Sequence, residues 1–459
     1  MTMKLYQQFY IITGFVVLSS MSSCEKLIEV ELPSNQIASD QVFVDVQTAD
    51  AVLAGLYSGL RDSSPFAGDQ SGRLLGLYTD DLDFYSTTAT NGLPEIAHNL
   101  QNDSNASIYT DWSASYKQVY VANAIMEGIE KSKSISQADR SRIKGEALMV
   151  RSMLLLYLQQ VYGDIPYPTT TDYQVNQTIS KTDKAQVLIQ LSEDLKESIN
   201  LLQDNYRNTE RIFPNRKMAE LLLAKVCQLE GKWSEAELLC KGIIQSPLYQ
   251  FQNDITKVFI KSGSHILWQL KPKNSGDGTK ESGIYYFTNS APSMTALSSG
   301  LVNTFSPADL RKQYWMAPVT FNGIIWYRAE KYKNRTANTT EYSIIARLEE
   351  VYLLLAEALV QQNKIDESLS YLNKIRQRAG ILPLAMPLSK EVALNEIVTE
   401  NRREFFTEMG HRFFDLKRTG KLDTALQAKP NWKPYHKVWP IPQQDILLNS
   451  NLKPQNEGY

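Results

Sequence analysis

"AELLLAKVCQLEGKWSEAELLCKGI", residues 219–243, and "VYLLLAEALVQQNKIDESLSYLNKI", residues 351–375, follow one pattern. In each, a small residue (Ala224, Ala356) stands seven places before a turn residue (Gly231, Asn363). Trp233 or Ile365, Glu235 or Glu367, and the small Ala236 or Ser368 then follow. This is the pattern of a tetratricopeptide hairpin: small residues let two helices approach, and Gly or Asn takes the left-handed turn between them. A tandem array repeats at about 34 residues. These two stretches lie much farther apart, so the chain reads as an interrupted helical scaffold.

Amphipathic helices extend the pattern upstream. "DWSASYKQVYVANAIMEGI" (111–129) places Trp112, Tyr116, Val119, Asn123 and Met126 near a 3.6-residue period, with Asp111 as the expected N-cap. "SQADRSRIKGEALMVRSMLLLYLQQVYGDIPY" (136–167) follows, with a stop at Gly163 and Pro166. "KAQVLIQLSEDLKESINLL" (184–202) carries Leu188, Leu191, Leu195, Ile199 and Leu202 on one face. None of these helices buries its stripe alone. The scaffold is expected over about 110–250 and 340–420.

Between the two hairpins the texture changes. "SHILWQL" and "GIIWYRAEKY" read as short strands separated by stretches such as "KPKNSGDGTKESG". Residues 61–105, with "SSPFAGDQSGR" and "YSTTATNGLPE", have the same irregular character. Irregular segments this long are functional or disordered. The reading is that 61–105 and 250–340 meet on one face of the scaffold.

Composition narrows the function classes. Lysine plus arginine, 48, nearly balances 50 acidic residues, so there is no basic excess to mark a nucleic-acid binder. The 24 tyrosines and seven tryptophans of the 459 residues exceed what core packing alone asks for. At the start, Lys4 precedes the apolar run Ile11–Leu18. That run is too short for a membrane span of about 20 residues but suits a signal peptide. Ser22-Ser23-Cys24 then has the small-small-Cys form at which bacterial lipoproteins are cut. Residues 1–23 are therefore expected to be removed, Cys24 to carry lipid, and 24–459 to form one domain anchored to a membrane that it does not span.

Enzyme signatures are missing from the sequence. His98, His265, His411 and His436 lack the i,i+4 spacing of a zinc helix, and no G-x-S-x-G, P-loop or C-x-x-C occurs. Asp80, Asp81 and Asp83 of "YTDDLDFY" lack the glycine and terminal glutamate of a calcium loop and read as a helix cap or solvated turn. In "NRREFFTEMGHRFFDLKRTG" (401–420), Glu408–Arg412 and Asp415–Arg418 read as lacing pairs on a helix whose phenylalanines face inward. Cys227 and Cys240 read as buried thiols on facing helices. No catalytic residue, metal or cofactor is assigned.

The chain resembles the SusD/RagB family of Bacteroidetes surface nutrient-binding lipoproteins. The likeness is carried by "CEKLIEVELPSN" (24–35), "GEALMVRSMLLLYLQQVYGDIPYP" (145–168), "ARLEEVYLLLAEAL" (346–359), 401–420 and "PIPQQDILLNSNLKPQNEGY" (440–459). The resemblance implies a mainly α fold: tetratricopeptide-like hairpins in a right-handed superhelix, with loop-rich insertions carrying a few short strands. It implies an oligosaccharide or, alternatively, an oligopeptide ligand, and a TonB-dependent outer-membrane barrel as partner at the cell surface; a surface glycosidase or a bare protein scaffold are the remaining alternatives. Sugars present C–H faces to aromatic rings and hydroxyls to amides. By region, the expected ligand residues are Phe84, Tyr85, Asn91, Tyr285, Tyr286, Phe287 and Asn289. Trp268, Trp315 and Trp326 are expected in the core.

Overall fold

In the computed structural model the described residues are 43–459, so Cys24 and the leader lie outside them. The helical elements are α1 (Val46–Ser63), α2 (Ser71–Tyr78), α3 (Ala106–Lys131), α4 (Gln137–Tyr162), α5 (Lys184–Leu201), α6 (Arg216–Glu230) and α7 (Trp233–Ile244). Within the insertion lies α8 (Lys280–Ile284), and beyond it come α9 (Leu348–Gln361), α10 (Ile365–Arg378), α11 (Lys390–Phe405) and α12 (His411–Arg418). Strands are β1 (Leu82–Phe84), β2 (Ile266–Leu270), β3 (Thr295–Leu297), β4 (Met316–Phe321), β5 (Ile324–Ala329) and β6 (Ser343–Arg347).

Each helix of the scaffold packs on the next: α3 on α4, α4 on α5, α5 on α6, α6 on α7, and then α7 directly on α9. The stack thus continues past the insertion as if residues 245–347 were absent. Gly231 and Asn363 close the α6–α7 and α9–α10 hairpins with φ of 72° and 63°, the left-handed turn that the repeat requires. Ala224, Ala356, Ala236 and Ser368 are fully buried where the paired helices approach. Cys227 and Cys240 are buried free thiols. Burial pushes the Cys227 thiol up to about 11. The insertion leaves and re-enters through one antiparallel pair, β2 with β6, closed by the Leu348 amide donating to the His265 carbonyl at 2.7 Å.

Several local expectations change. Helix α3 starts five residues before Asp111, capped by Asn105, whose side chain accepts from the Ile108 amide at 3.1 Å. Asp111 is consequently inside the helix and 4% exposed, accepting hydroxyls from Tyr157 and Tyr162 at 3.0 Å each. Burial pushes its carboxyl up to about 7, against the opposing pull of those two hydrogen bonds. Helix α2 lies in the stretch read as irregular, because nearly all of "SGRLLGLY" is buried and no polar face marks it.

The acids of 78–85 are neither cap nor solvated turn. Asp80 pairs with Arg412 at 2.8 Å and Asp81 with Arg402 at 2.8 Å. Arg412 is thereby taken from its expected partner, and Glu408 turns inward to Arg347 at 3.0 Å and Lys331 at 2.5 Å. Asp415–Arg418 forms as expected, at 2.8 Å. Next to Glu408, Glu404 receives Arg347 and Arg378 at 2.5 Å each and Arg311 at 3.2 Å, all essentially without solvent exposure. Burial alone would raise the Glu404 pKa; the three guanidiniums outweigh it and hold the carboxyl far below the usual range. Phe405, Phe406 and Phe413 are buried around this cluster. The segment 401–420 is a structural anchor joining α11 and α12 to the base of the insertion.

Candidate functional site

The two irregular segments are joined covalently to different parts of the chain but share one sheet, in the order β1-β3-β5-β4. Leu82, Asp83 and Phe84 of β1 oppose Leu297, Ala296 and Thr295 of β3, and Leu297 opposes Tyr327 of β5. Beyond Phe84 the pairing continues, the Tyr85 amide donating to the Met294 carbonyl at 2.9 Å. Asn322-Gly323, both with positive φ (48° and 77°), turn β4 into β5 and set Val319 opposite Trp326. This is the Asn-Gly turn favoured in tight hairpins.

Alternation along the strands then assigns the faces. Leu82, Leu297 and Met316 point into the main core. The opposite face carries Asp83, Ala296, Val319, Trp326 and Arg328. Phe287 packs with Ala296 and Val319 in a small cluster of its own, and Trp326 lies against it. Tyr85, 37% exposed, sits beside Trp326, near enough for the indole to act on its phenol. Partial burial, together with the neighbouring Asp83, raises the Tyr85 phenol, the indole opposing. The half-buried Tyr286 ring lies between two guanidiniums, Arg328 at 4.5 Å and Arg335 at 3.4 Å from its centroid.

The expected residues therefore divide. Tyr85, Tyr286 and Phe287 gather on the outer face, though Phe287, 8% exposed, supports Trp326 from below instead of offering a ring of its own. Phe84 points to the other face beside Thr295, its ring edge-on to His98 at 6.0 Å. Tyr285 is a core residue, 4% exposed, with a hydroxyl that has no hydrogen-bond partner among the described residues. That hydroxyl lies against Gly72, where an added Cβ would meet it at 3.3 Å. Asn91 and Asn289 are exposed; the Asn91 carbonyl accepts from Ser107 at 2.7 Å, and Asn289 sits in a left-handed turn with φ 55°.

Trp268 and Trp315 are core residues, as expected, but Trp326 is only half-buried. Sequence reading missed it along with Asp83, Arg328 and Arg335. The available signal was the Asn-Gly turn: once Asn322-Gly323 fixes the hairpin, Trp326 must lie across from Val319. A separate cavity of about 120 Å³ within the helical stack shares no residue with this face. Its Lys225 and Glu350 pair with each other at 2.6 Å, leaving neither to recognise a ligand. Among the described residues no group of acids, histidines and cysteines is arranged to hold a metal ion. None of the described helices is long and apolar enough to cross a membrane.

What the face offers is a shallow surface with a tryptophan and two tyrosines, a carboxylate at one end and guanidiniums at the other. It has no base beside a nucleophile and is suited to holding an extended, flat, polar molecule.

Comparison with known proteins places the same architecture elsewhere. The family described as "Starch-binding associating with outer membrane" matches residues 30–227, and the SusD family matches 311–459. "SusD-like protein P25" of Formosa agariphila is 22% identical, over 98% of this chain and 99% of its own. "SusD-like protein P2" of the same organism is 23% identical, over 98% and 99%. Among solved structures, a SusD superfamily protein of Bacteroides vulgatus superimposes with a TM-score of 0.78 at 21% identity, covering 91% of this chain and all of that one. Surface glycan-binding protein A of Bacteroides thetaiotaomicron, in complex with laminarihexaose, gives a TM-score of 0.76 at 18% identity, over 90% and 99%.

Proposed function

Because the chain belongs to the SusD/RagB family, we propose that it binds oligosaccharides on the outer face of the β1-β3-β5-β4 sheet, without catalysis, as a lipoprotein anchored through Cys24 at the outer-membrane surface. In this reading it hands the ligand to a TonB-dependent barrel. The observation that carries the proposal is the convergence of Tyr85 and Trp326, from separate stretches of chain, on one exposed surface, with Tyr286 holding Arg335 and Arg328 beside them. Rings of this kind stack on the C–H faces of pyranoses, and a shallow surface leaves room for the chain to run past on both sides. Solved relatives of the same fold include one whose partner in the crystal is laminarihexaose.

Isothermal titration calorimetry against matched panels of oligosaccharides and oligopeptides tests the ligand class. Saturable heat with oligosaccharides alone is expected, and saturable heat with peptides alone would replace this reading by peptide capture. Release of reducing sugar on prolonged incubation would count against a purely binding role. Intact mass of the membrane-extracted protein tests the anchor: a mature chain beginning at an acylated Cys24 is expected, and an unmodified start would remove the lipoprotein claim.

A further inference from the structure

The guanidinium end of the sheet face has an excess of positive charge that the fold does not neutralise. Arg328 is occupied: it donates to the Phe287 carbonyl at 2.7 Å and to Glu330 at 2.6 Å. Arg335 is different. Among the described residues no carboxylate pairs with it, and its one recorded partner is the Tyr286 ring at 3.4 Å. Stacking uses the face of a guanidinium and leaves its edge, with its N–H donors, free to meet a planar anion in a two-pronged contact.

The backbone beneath Arg335 is fixed in place. The Glu341 carboxylate accepts the amides of Lys333 and Asn334 at 2.9–3.0 Å. Asn338 donates to the Asp277 carbonyl at 3.0 Å and to the Glu341 carbonyl at 2.8 Å. Gly278 lies so close to the Arg335 carbonyl that a Cβ there would come within 2.6 Å of it. An unpaired cation on so constrained a segment is pre-organised, and little ordering cost remains for a ligand to meet. At the other end of the face Asp83 makes no ion pair among the described residues and would repel a negative group, so the surface has a polarity.

Resting on the oligosaccharide reading above, we infer that the preferred ligand is an anionic glycan, whose carboxylate or sulfate meets the edge of Arg335 while its neighbouring sugar lies on Trp326 and Tyr85. The uncharged part of the chain extends toward Asp83.

The test is calorimetry with two pairs of ligands. One is a uronic acid oligosaccharide beside its methyl ester; the other is a sulfated neutral oligosaccharide beside its desulfated form. Whichever anion fits binds about tenfold tighter than its uncharged counterpart, as a charge-assisted two-pronged contact supplies. Arg335→Gln brings that ratio to within about twofold, and raising the salt concentration narrows it in the native protein. Equal binding of charged and uncharged forms, or a preference that survives in Arg335→Gln, overturns the inference and leaves the oligosaccharide reading intact. Absence of binding by every oligosaccharide removes both. Arg335 is exposed and outside the core, so circular dichroism of the variant should match the native protein.

Discussion

Arginine and aromatic rings meet in two places in this molecule, to opposite effect. Around Glu404, Arg311, Arg347 and Arg378 are enclosed with their carboxylates among Phe405, Phe406 and Trp315. On the sheet face, Arg335 lies over Tyr286 with no acid among the described residues to answer it. The first arrangement is satisfied within the chain and can only hold the chain together. The second is incomplete, and a charged donor left incomplete on a rigid support is what recognition requires. Residue type alone separates neither from the other; pairing and burial do.

The comparison can be broken most severely at Glu404. Glu404→Gln takes one carboxylate away from three buried guanidiniums, each of which keeps another (Arg311 with Glu400, Arg347 with Glu408, Arg378 with Glu349); removing one partner of a buried ion pair costs about 3–5 kcal/mol. A variant that melts within a few degrees of the native protein would show that the cluster does not carry the load assigned to it. Asp111 sharpens the same side, as a buried carboxyl with hydroxyl partners in place of cations. Its pKa of about 7 lies above the unfolded value near 3.9, so the folded state holds its proton more tightly. Stability from this group is full below pH 4 and falls as pH rises toward 7. Asp111→Asn removes that slope, with a difference of up to about 4 kcal/mol between the two proteins' pH profiles in thermal melts, from a shift of about three units at about 1.4 kcal/mol each.

On the exposed side, Trp326→Ala should weaken oligosaccharide binding by at least about tenfold, ~1.4 kcal/mol, with a smaller change in melting temperature than Glu404→Gln. A binding isotherm unchanged by the loss of this ring would move the site elsewhere. The smallest effect is expected at Tyr285, whose hydroxyl is buried and unpartnered among the described residues. Tyr285→Phe should leave affinity unchanged and alter stability by less than about 1 kcal/mol, with a gain favoured, because it removes a donor that the core does not satisfy.

The sequence was legible wherever the interaction is local. The helical hairpins at Gly231 and Asn363 announce themselves because small residues and turn residues recur at short spacing, and α4 ends at Gly163 as its stop signal predicts. Helix α3 shows the limit even of local reading: the expected cap, Asp111, is buried beside Tyr157 and Tyr162, and Asn105 caps the helix instead. Charge pairs misled for the same reason, since Glu408 and Arg412 have better partners far away in sequence. The convergence of the two irregular segments could be anticipated from their texture. Which rings face outward could not, because that depends on tertiary placement: Tyr285, at the C-cap of α8, and Tyr286 are adjacent and indistinguishable by composition, yet one is interior and the other lies under a guanidinium.

Helix α7 seats directly against α9, and the excursion over 245–347 is held at its base by the β2–β6 pair and by Arg311 and Lys331, which reach the carboxylates of Glu404 and Glu408. The tower and its interchangeable head can therefore diversify on separate schedules. New recognition would demand new wording only in the head and in the short strip around Asp83 and Tyr85 that clips to it, and a protein engineer transplanting that head onto a sister tower would have to match two strands and the buried carboxylates of Glu400, Glu404 and Glu408.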